Sequence, residues 1–191
     1  MRVIAGSARG RPLLGPRSSG TRPTSDLVRG AIFSMLEARG AWFTRVLDLY
    51  AGTGAMGIEA LSRGAEEADF VERDRAACAI IRGNLERTGF SDAGRVIHAA
   101  LPGALERLRG PYGLIFIDPP YDAPGIPELF TRLGREGVVD ETSTIVYEHS
   151  RRTIAPERCG PLRLAVERVH GTTSLALYEA PAGPSSEGTG A

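Results

Sequence analysis

Val46-Leu47-Asp48-Leu49-Tyr50-Ala51-Gly52-Thr53-Gly54-Ala55-Met56-Gly57 leaves an apolar run, turns on glycines and enters a helical pattern. Gly52, Gly54 and Gly57 satisfy G-x-G-x-x-G in the strand–turn–helix setting that gives this spacing its meaning. Glycines there let the backbone approach a ligand where a Cβ would clash. At the carboxyl edge of a parallel sheet, such a loop binds a nucleotide-like cofactor. The spacing alone also admits NAD, and Glu72, 20 positions beyond Gly52, suits the ribose hydroxyls of either cofactor. Asp48 separates the two readings. An acid at the end of the first strand is disfavoured beside a pyrophosphate but suits the cationic amino-acid portion of S-adenosylmethionine. The bland alternative is that Gly52 and Gly54 only close a turn. Asp74 reads as the N-cap of the following helix.

Outward from this loop the chain alternates. Apolar runs at 45–50, 67–72, 94–98, 112–117 and 143–148 are separated by helical patterns near 55–63, 74–88, 101–109 and 126–136. That alternation predicts an α/β fold with a parallel sheet covered by helices on both faces. Two further runs, 161–169 and 174–179, are joined by His170-Gly171-Thr172-Thr173 with no helix between them, which predicts an antiparallel hairpin. The expectation is a seven-stranded, mostly parallel Rossmann-like sheet. Upstream, Thr24-Ser25-Asp26 offers N-caps for an amphipathic helix carrying Val28, Ile32, Met35 and Leu36 to about Arg39. Residues 1–24 read as an extended arm, with Val3 and Ile4 adding a short strand. The division expected is a basic arm and helix at 1–44, a catalytic domain at 45–180 and a disordered tail at 181–191, where Pro, Gly, Ser and Thr leave little to bury.

The second chemical signal follows Leu114-Ile115-Phe116-Ile117, a continuous apolar run that stops at Asp118-Pro119-Pro120-Tyr121. Proline cannot continue a ladder, and two in succession stiffen the turn, holding the Asp118 side chain and the Pro119 carbonyl as two fixed acceptors. The amino group of a nucleobase is a weak nucleophile because its lone pair is delocalised into the ring. Two acceptors on its N–H bonds would pull the nitrogen toward tetrahedral geometry, while Tyr121 offers a face on which a flipped base stacks. Catalysis by such a site rests on positioning and electrostatics. No strong general base is needed, since the methylated amine is acidic and can lose its proton to Asp118 or water. The competing reading is that D-P-P-Y is only a turn.

Charge is unevenly spread. The formal net charge is zero, yet residues 1–45 carry eight arginines against Asp26 and Glu37, a local +6 that the remainder balances. A basic N-terminal segment on an acidic domain is the electrostatic footprint of nucleic-acid binding, although a solvated surface would have the same composition. Hydrophobic residues at 42% and charged residues at 24% fit a globular domain rather than a disordered or fibrous chain. No apolar run approaches the roughly 20 residues that span a bilayer, and Arg9 and Arg11 stand where a signal peptide needs an apolar stretch, so a cytoplasmic protein is expected. Cys78 and Cys159 show no zinc or disulfide spacing, and His98, His149 and His170 show no ligand spacing, so no metal is expected.

At these residues the chain resembles the class I S-adenosylmethionine-dependent methyltransferases that act on amino nitrogen. Within them it is most similar to the bacterial 16S rRNA guanine-N2 methyltransferase family usually called RsmD. The likeness runs from Arg2-Val3-Ile4-Ala5-Gly6 and Arg9-Gly10-Arg11 through Arg22-Pro23-Thr24, Asp26, Val28-Arg29 and Phe33 to Asp48 and Gly52-Thr53-Gly54-Ala55. It resumes at Ala60-Leu61-Ser62-Arg63, Asp118-Pro119-Pro120-Tyr121, Tyr147-Glu148 and Leu177-Tyr178. The resemblance implies that Asp48, Ala51, Gly52, Thr53, Gly54, Glu72 and Arg73 bind the cofactor, with Asp118 beside it. It implies that Asp118, Pro119, Pro120 and Tyr121 receive a guanine, and that Arg9, Arg11, Arg22, Thr24 and Arg29 meet RNA. The partner implied is 16S rRNA or the small ribosomal subunit, and a monomer is the simplest state. Two departures stand out: Gly30 replaces a commoner acid, and His98-Ala99-Ala100-Leu101 lacks a polar side chain beside the adenine, leaving Ala100 and Leu101 to contact it through backbone or packing. Adenine-N6 methylation of RNA or DNA remains a rival, since D-P-P-Y does not distinguish amino groups, though no separate target-recognition domain is visible. A non-catalytic ribosome assembly factor is the rival from the binding class. Protein glutamine methylation shares the motif logic but lacks its customary helical domain here.

Overall fold

The computed structural model describes residues 1–15, 26–41, 43–120 and 123–181. Five parallel strands alternate with helices: α1 (Asp26–Ala38), β1 (Arg45–Leu49), α2 (Ala55–Ser62), β2 (Glu67–Glu72), α3 (Arg75–Thr88), β3 (Gly94–His98), β4 (Leu114–Ile117), α4 (Ile126–Arg135) and β5 (Thr144–Ser150). Three antiparallel strands follow: β6 (Arg158–Cys159), β7 (Leu162–His170) and β8 (Thr173–Glu179). The sheet order is β3-β2-β1-β4-β5-β8-β7-β6. The strand order reverses between β1 and β4, and the crevice beyond the strand ends at that reversal is where such sheets bind ligands.

The Rossmann-like class and the terminal hairpin agree with the sequence pattern, but the sheet has eight strands rather than seven. The extra one, β6, is two residues long, pairing Arg158 with Arg163 and Cys159 with Leu162. Two residues carry no periodicity for a sequence reading to detect. The helix expected at 101–109 is a short 3-10 turn over Gly103–Arg107. The disordered-tail expectation falls, apart from Pro181, outside the described residues.

Alternation of side chains along each strand splits the core into two layers. Val46, Phe70, Leu114, Phe116 and Val146 face α1, α2 and α3, while Leu47, Leu49, Ile115, Ile117, Ile145 and Tyr147 face α4 and the 3-10 turn. The N-terminal segment is not extended over 1–15. It folds back on itself, with a single bridge from Arg2 to Pro12, and buries Val3, Ala8 and Leu13 in the first layer. Its anchor is Glu59 of α2, fully buried, whose carboxylate accepts the N–H groups of Ile4 (2.8 Å) and Ala5 (3.0 Å) and Arg63 Nε (2.8 Å). No helix is long and apolar enough to cross a membrane among the described residues.

Candidate active site

The carboxyl ends of four adjacent strands each carry an acid: Glu72 on β2, Asp48 on β1, Asp118 just past β4 and Glu148 on β5. The parity of the strands puts all four on the face of α1, α2 and α3, since Asp48 alternates with Leu47 and Leu49, Glu72 follows Val71, Asp118 follows Ile117 and Glu148 follows Tyr147, all in the opposite layer. Ile117 pairs with Tyr147, so Asp118 and Glu148 stand abreast. Asp48 is paired with Phe70 and Phe116 and lies two residues deeper than Glu72 and Asp118.

Asp48 is buried, and its Oδ2 accepts the Gly57 N–H at 3.0 Å. Burial pushes its carboxyl up to about 8, the Gly57 hydrogen bond opposes this, and the charges of Asp118 and Glu72 add to it. Glu72 holds the loop by its two oxygens, accepting Gly52 N–H at 2.9 Å and Asp74 N–H at 2.8 Å. Asp74 caps α3 through Ala77 N–H at 2.7 Å, the role its position predicts. Within the loop, Gly52 has φ +55°, and a Cβ built on it would meet only the Tyr50 carbonyl oxygen, at 3.8 Å, so space lies open in front of it. Gly57 serves packing instead: a Cβ there would stand 2.4 Å from the Phe70 ring, which lies beneath α2. Ala51 donates to the Val71 carbonyl, and the Thr53 carbonyl accepts from Asn84 of α3, which also holds Leu14 of the N-terminal segment. Arg73 and Ala100 are exposed and Leu101 half-buried around the same edge, where Ala99 N–H donates to the Glu72 carbonyl.

This half of the edge fits a cationic nucleoside ligand. Asp48 faces two further negative groups with a raised proton affinity, a balance that a positive charge would reverse, and the open space at Gly52 adjoins Glu72, which accepts the Gly52 N–H. On the other half, Asp118 is exposed, Pro119 half-buried and Pro120 exposed, while Tyr121 lies outside the described residues. A cleft of about 380 Å³ borders Pro119 and Pro120 and continues along Ile126, Tyr147, His149 and Thr153. His149, which carried no assigned role from its spacing, is buried there, stacked on Tyr147 with ring centroids 4.7 Å apart. Among the described residues no cluster of His, Cys, Asp or Glu is arranged to hold a metal.

Of the residues assigned to RNA, Arg9 and Arg11 are exposed, and Arg11 also donates to the Arg87 carbonyl at 2.9 Å. Arg22 and Thr24 fall outside the described residues. Arg29 is a correction. It is fully buried, donating to the Arg2 carbonyl at 2.5 Å and to Asp26 at 3.1 Å with its Nε 3.7 Å from Glu59, so it has no surface to offer RNA. The buried Glu59 carboxylate lies between two cations, Arg63 at the end of α2 and Arg29 of α1. Glu148 is the residue that spacing did not single out. The signal was present, since an acid closes its apolar run just as Asp48, Glu72 and Asp118 do theirs.

The family model described as conserved hypothetical protein 95 matches residues 1–179. The small-subunit ribosomal RNA methyltransferase D of Escherichia coli K12 is 34% identical over 179 residues, covering 94% of this chain and 89% of its own. The Bacillus subtilis protein YlbH is 39% identical over 189 residues, covering 94% of this chain and 98% of its own. The solved structure of Escherichia coli yhhF superposes with TM-score 0.82 at 33% identity, covering 95% of this chain and 99% of that one. The glycine loop, the acid row and the Asp-Pro-Pro turn are thus set in a chain that belongs, over nearly its whole length, to the conserved hypothetical protein 95 family, the RsmD family of ribosomal RNA methyltransferases.

Proposed function

We propose that this protein transfers a methyl group from S-adenosylmethionine to the exocyclic N2 amino group of a guanine in 16S rRNA. Methylation of ribosomal RNA is the activity that the names of its relatives carry. The observation that supports the reading is the row of four acids interrupted by the Asp118-Pro119-Pro120 turn. When bound, the cofactor supplies an electrophilic methyl group on a sulfonium. Asp48 and Glu72 would hold it, Asp48 through its cationic amino-acid end and Glu72 through the ribose, with Ala51, Thr53 and Gly54 as the loop's backbone and Arg73, Ala100 and Leu101 around the base. Asp118 and the Pro119 carbonyl would take the two hydrogens of the target amino group, and Tyr121 would stack on the ring.

Arg9 and Arg11, with Arg22 and Thr24, would track RNA phosphates along the N-terminal segment. The division into a basic segment at 1–44 and a catalytic domain at 45–180 serves this reading as a difference of task. It is not a difference of packing, since Val3, Ile32, Phe33 and Leu36 belong to the same core layer as β1. The substrate is rRNA or the small subunit, met by a monomer in the cytoplasm. The test is transfer of labelled methyl to unmodified small subunits, followed by digestion to nucleosides. N2-methylguanosine is expected; N6-methyladenosine would replace the guanine reading with its rival.

A further inference from the structure

Asp48, Glu72 and Asp118 each have a place in the proposed reaction, and Glu148 has none. It follows Tyr147, the register partner of Ile117, as Asp118 follows Ile117 just past β4, and the Asp118 charge reaches it. It is half-buried where Asp118 is exposed. Burial and the Asp118 charge push its carboxyl up to about 7, and no cation among the described residues contributes to its setting. A half-buried acid beside the proposed acceptor of the target amino group, with no cation among the described residues to pair it, is placed to take a hydrogen-bond donor from the substrate.

We propose that Glu148 accepts the N–H of the ring nitrogen beside the target amino group and so selects guanine over adenine. This rests on the guanine reading above and deepens it. In guanine the amino group at C2 adjoins N1–H, a donor. In adenine the amino group at C6 adjoins a bare N1, an acceptor. Asp118 and the Pro119 carbonyl grip amino hydrogens, which both bases present, and so cannot tell them apart. A carboxylate next to Asp118 can, because it receives N1–H and repels a lone pair, leaving both the acceptor and the base unpaired in the wrong complex. Because its carboxyl is pushed up to about 7, the discrimination belongs to the ionised form and strengthens as the pH rises through about 7. The alternative is that Glu148 only adds negative potential for the cationic cofactor, in which case it would be indifferent to the ring nitrogen.

The experiment uses small subunits reconstituted from two-piece 16S rRNA carrying either guanosine or 2-aminopurine riboside at the methylated position. 2-Aminopurine keeps the amino group at C2 and presents N1 as a lone pair. Single-turnover rates at saturating cofactor are measured for the wild type and for Glu148→Gln, an isosteric change whose amide can donate to N1, and cofactor affinity is measured separately by calorimetry. The wild type is expected to prefer guanosine by roughly 10- to 100-fold. Glu148→Gln is expected to bring the two substrates within roughly threefold by slowing guanosine and speeding 2-aminopurine, with cofactor affinity unchanged within about twofold. The same guanosine preference in both enzymes, or a Glu148→Gln defect confined to cofactor affinity, would overturn the proposal. A wild type that methylates no guanosine on the subunit fails in the first arm, and that result overturns the guanine reading itself.

Discussion

On β1 and β2 the acids at the strand ends are already engaged by the loop they hold: Gly57 N–H on Asp48, and Gly52 and Asp74 N–H on Glu72. On β4 and β5 the corresponding acids stand side by side at the mouth of the crevice, with Asp118 exposed and the chain turned away by two prolines. The first pair shapes a backbone loop before any ligand arrives. The second sets two acids beside the Pro119-Pro120 turn, at the edge where the target base is proposed to enter. The difference teaches how one row of like charges divides its labour: under the glycine loop the acids hold backbone N–H groups in place, and beside the prolines they stand where the chain turns away from the sheet.

The largest expected effect breaks the gripping side alone. Asp118→Ala should lower methyl transfer by at least roughly 100-fold while leaving cofactor affinity unchanged, checked by single-turnover rates beside calorimetric titration. Equal loss of affinity would mean that the two halves are not separate. Arg29→Ala attacks the support beneath the cradle, because Glu59, on the helix that follows the glycine loop, would keep only Arg63, and the Arg2 carbonyl would lose its buried donor. A loss of about 3 kcal/mol in unfolding free energy is expected in urea denaturation, with the salt dependence of RNA binding unchanged. An effect on RNA binding without loss of stability would return Arg29 to the interface.

Asp48→Asn should weaken cofactor binding by roughly 10- to 100-fold and alter its proton balance. Asp48 holds its proton to about 8, well above the value of an unfolded aspartate, so it contributes stability that is fully present at low pH and is lost as the pH rises through about 8. A cationic ligand favours the ionised form, so binding at pH 7 should release about one proton from the wild type and none from Asp48→Asn, read from calorimetry in buffers of different ionisation enthalpy. Equal proton release would remove Asp48 from contact with the cation. The smallest effect belongs to the exposed segment. Replacing Arg9 and Arg11 with Ala should reduce the salt slope of RNA binding by up to about two with no change in cofactor affinity, and an unchanged slope would take these residues off the RNA path.

Much of this was legible in the chain because the signals were periodic or positional. The glycine loop, the five parallel strands and Asp74 as a cap each depend on neighbours within a few residues. Arg29 was misread because its partners, Glu59 and the Arg2 carbonyl, lie 30 and 27 positions away, and charge counted along a sequence cannot separate a buried arginine from a solvated one. Glu148 was passed over for a related reason: its meaning comes from the register that sets Tyr147 against Ile117, which a strand pattern does not specify. The two-residue β6 left no pattern, and the folding back of residues 1–15 depends on a carboxylate more than 50 positions away.

The division of the strand edge is tested most directly by one titration: single-turnover methyl transfer to unmodified small subunits against rising S-adenosylmethionine, for Asp48→Asn and Asp118→Ala. Asp48→Asn is expected to approach the wild-type rate at high cofactor concentration, whereas Asp118→Ala stays at least roughly 100-fold slower at every concentration. Recovery of Asp118→Ala by excess cofactor would contradict this division.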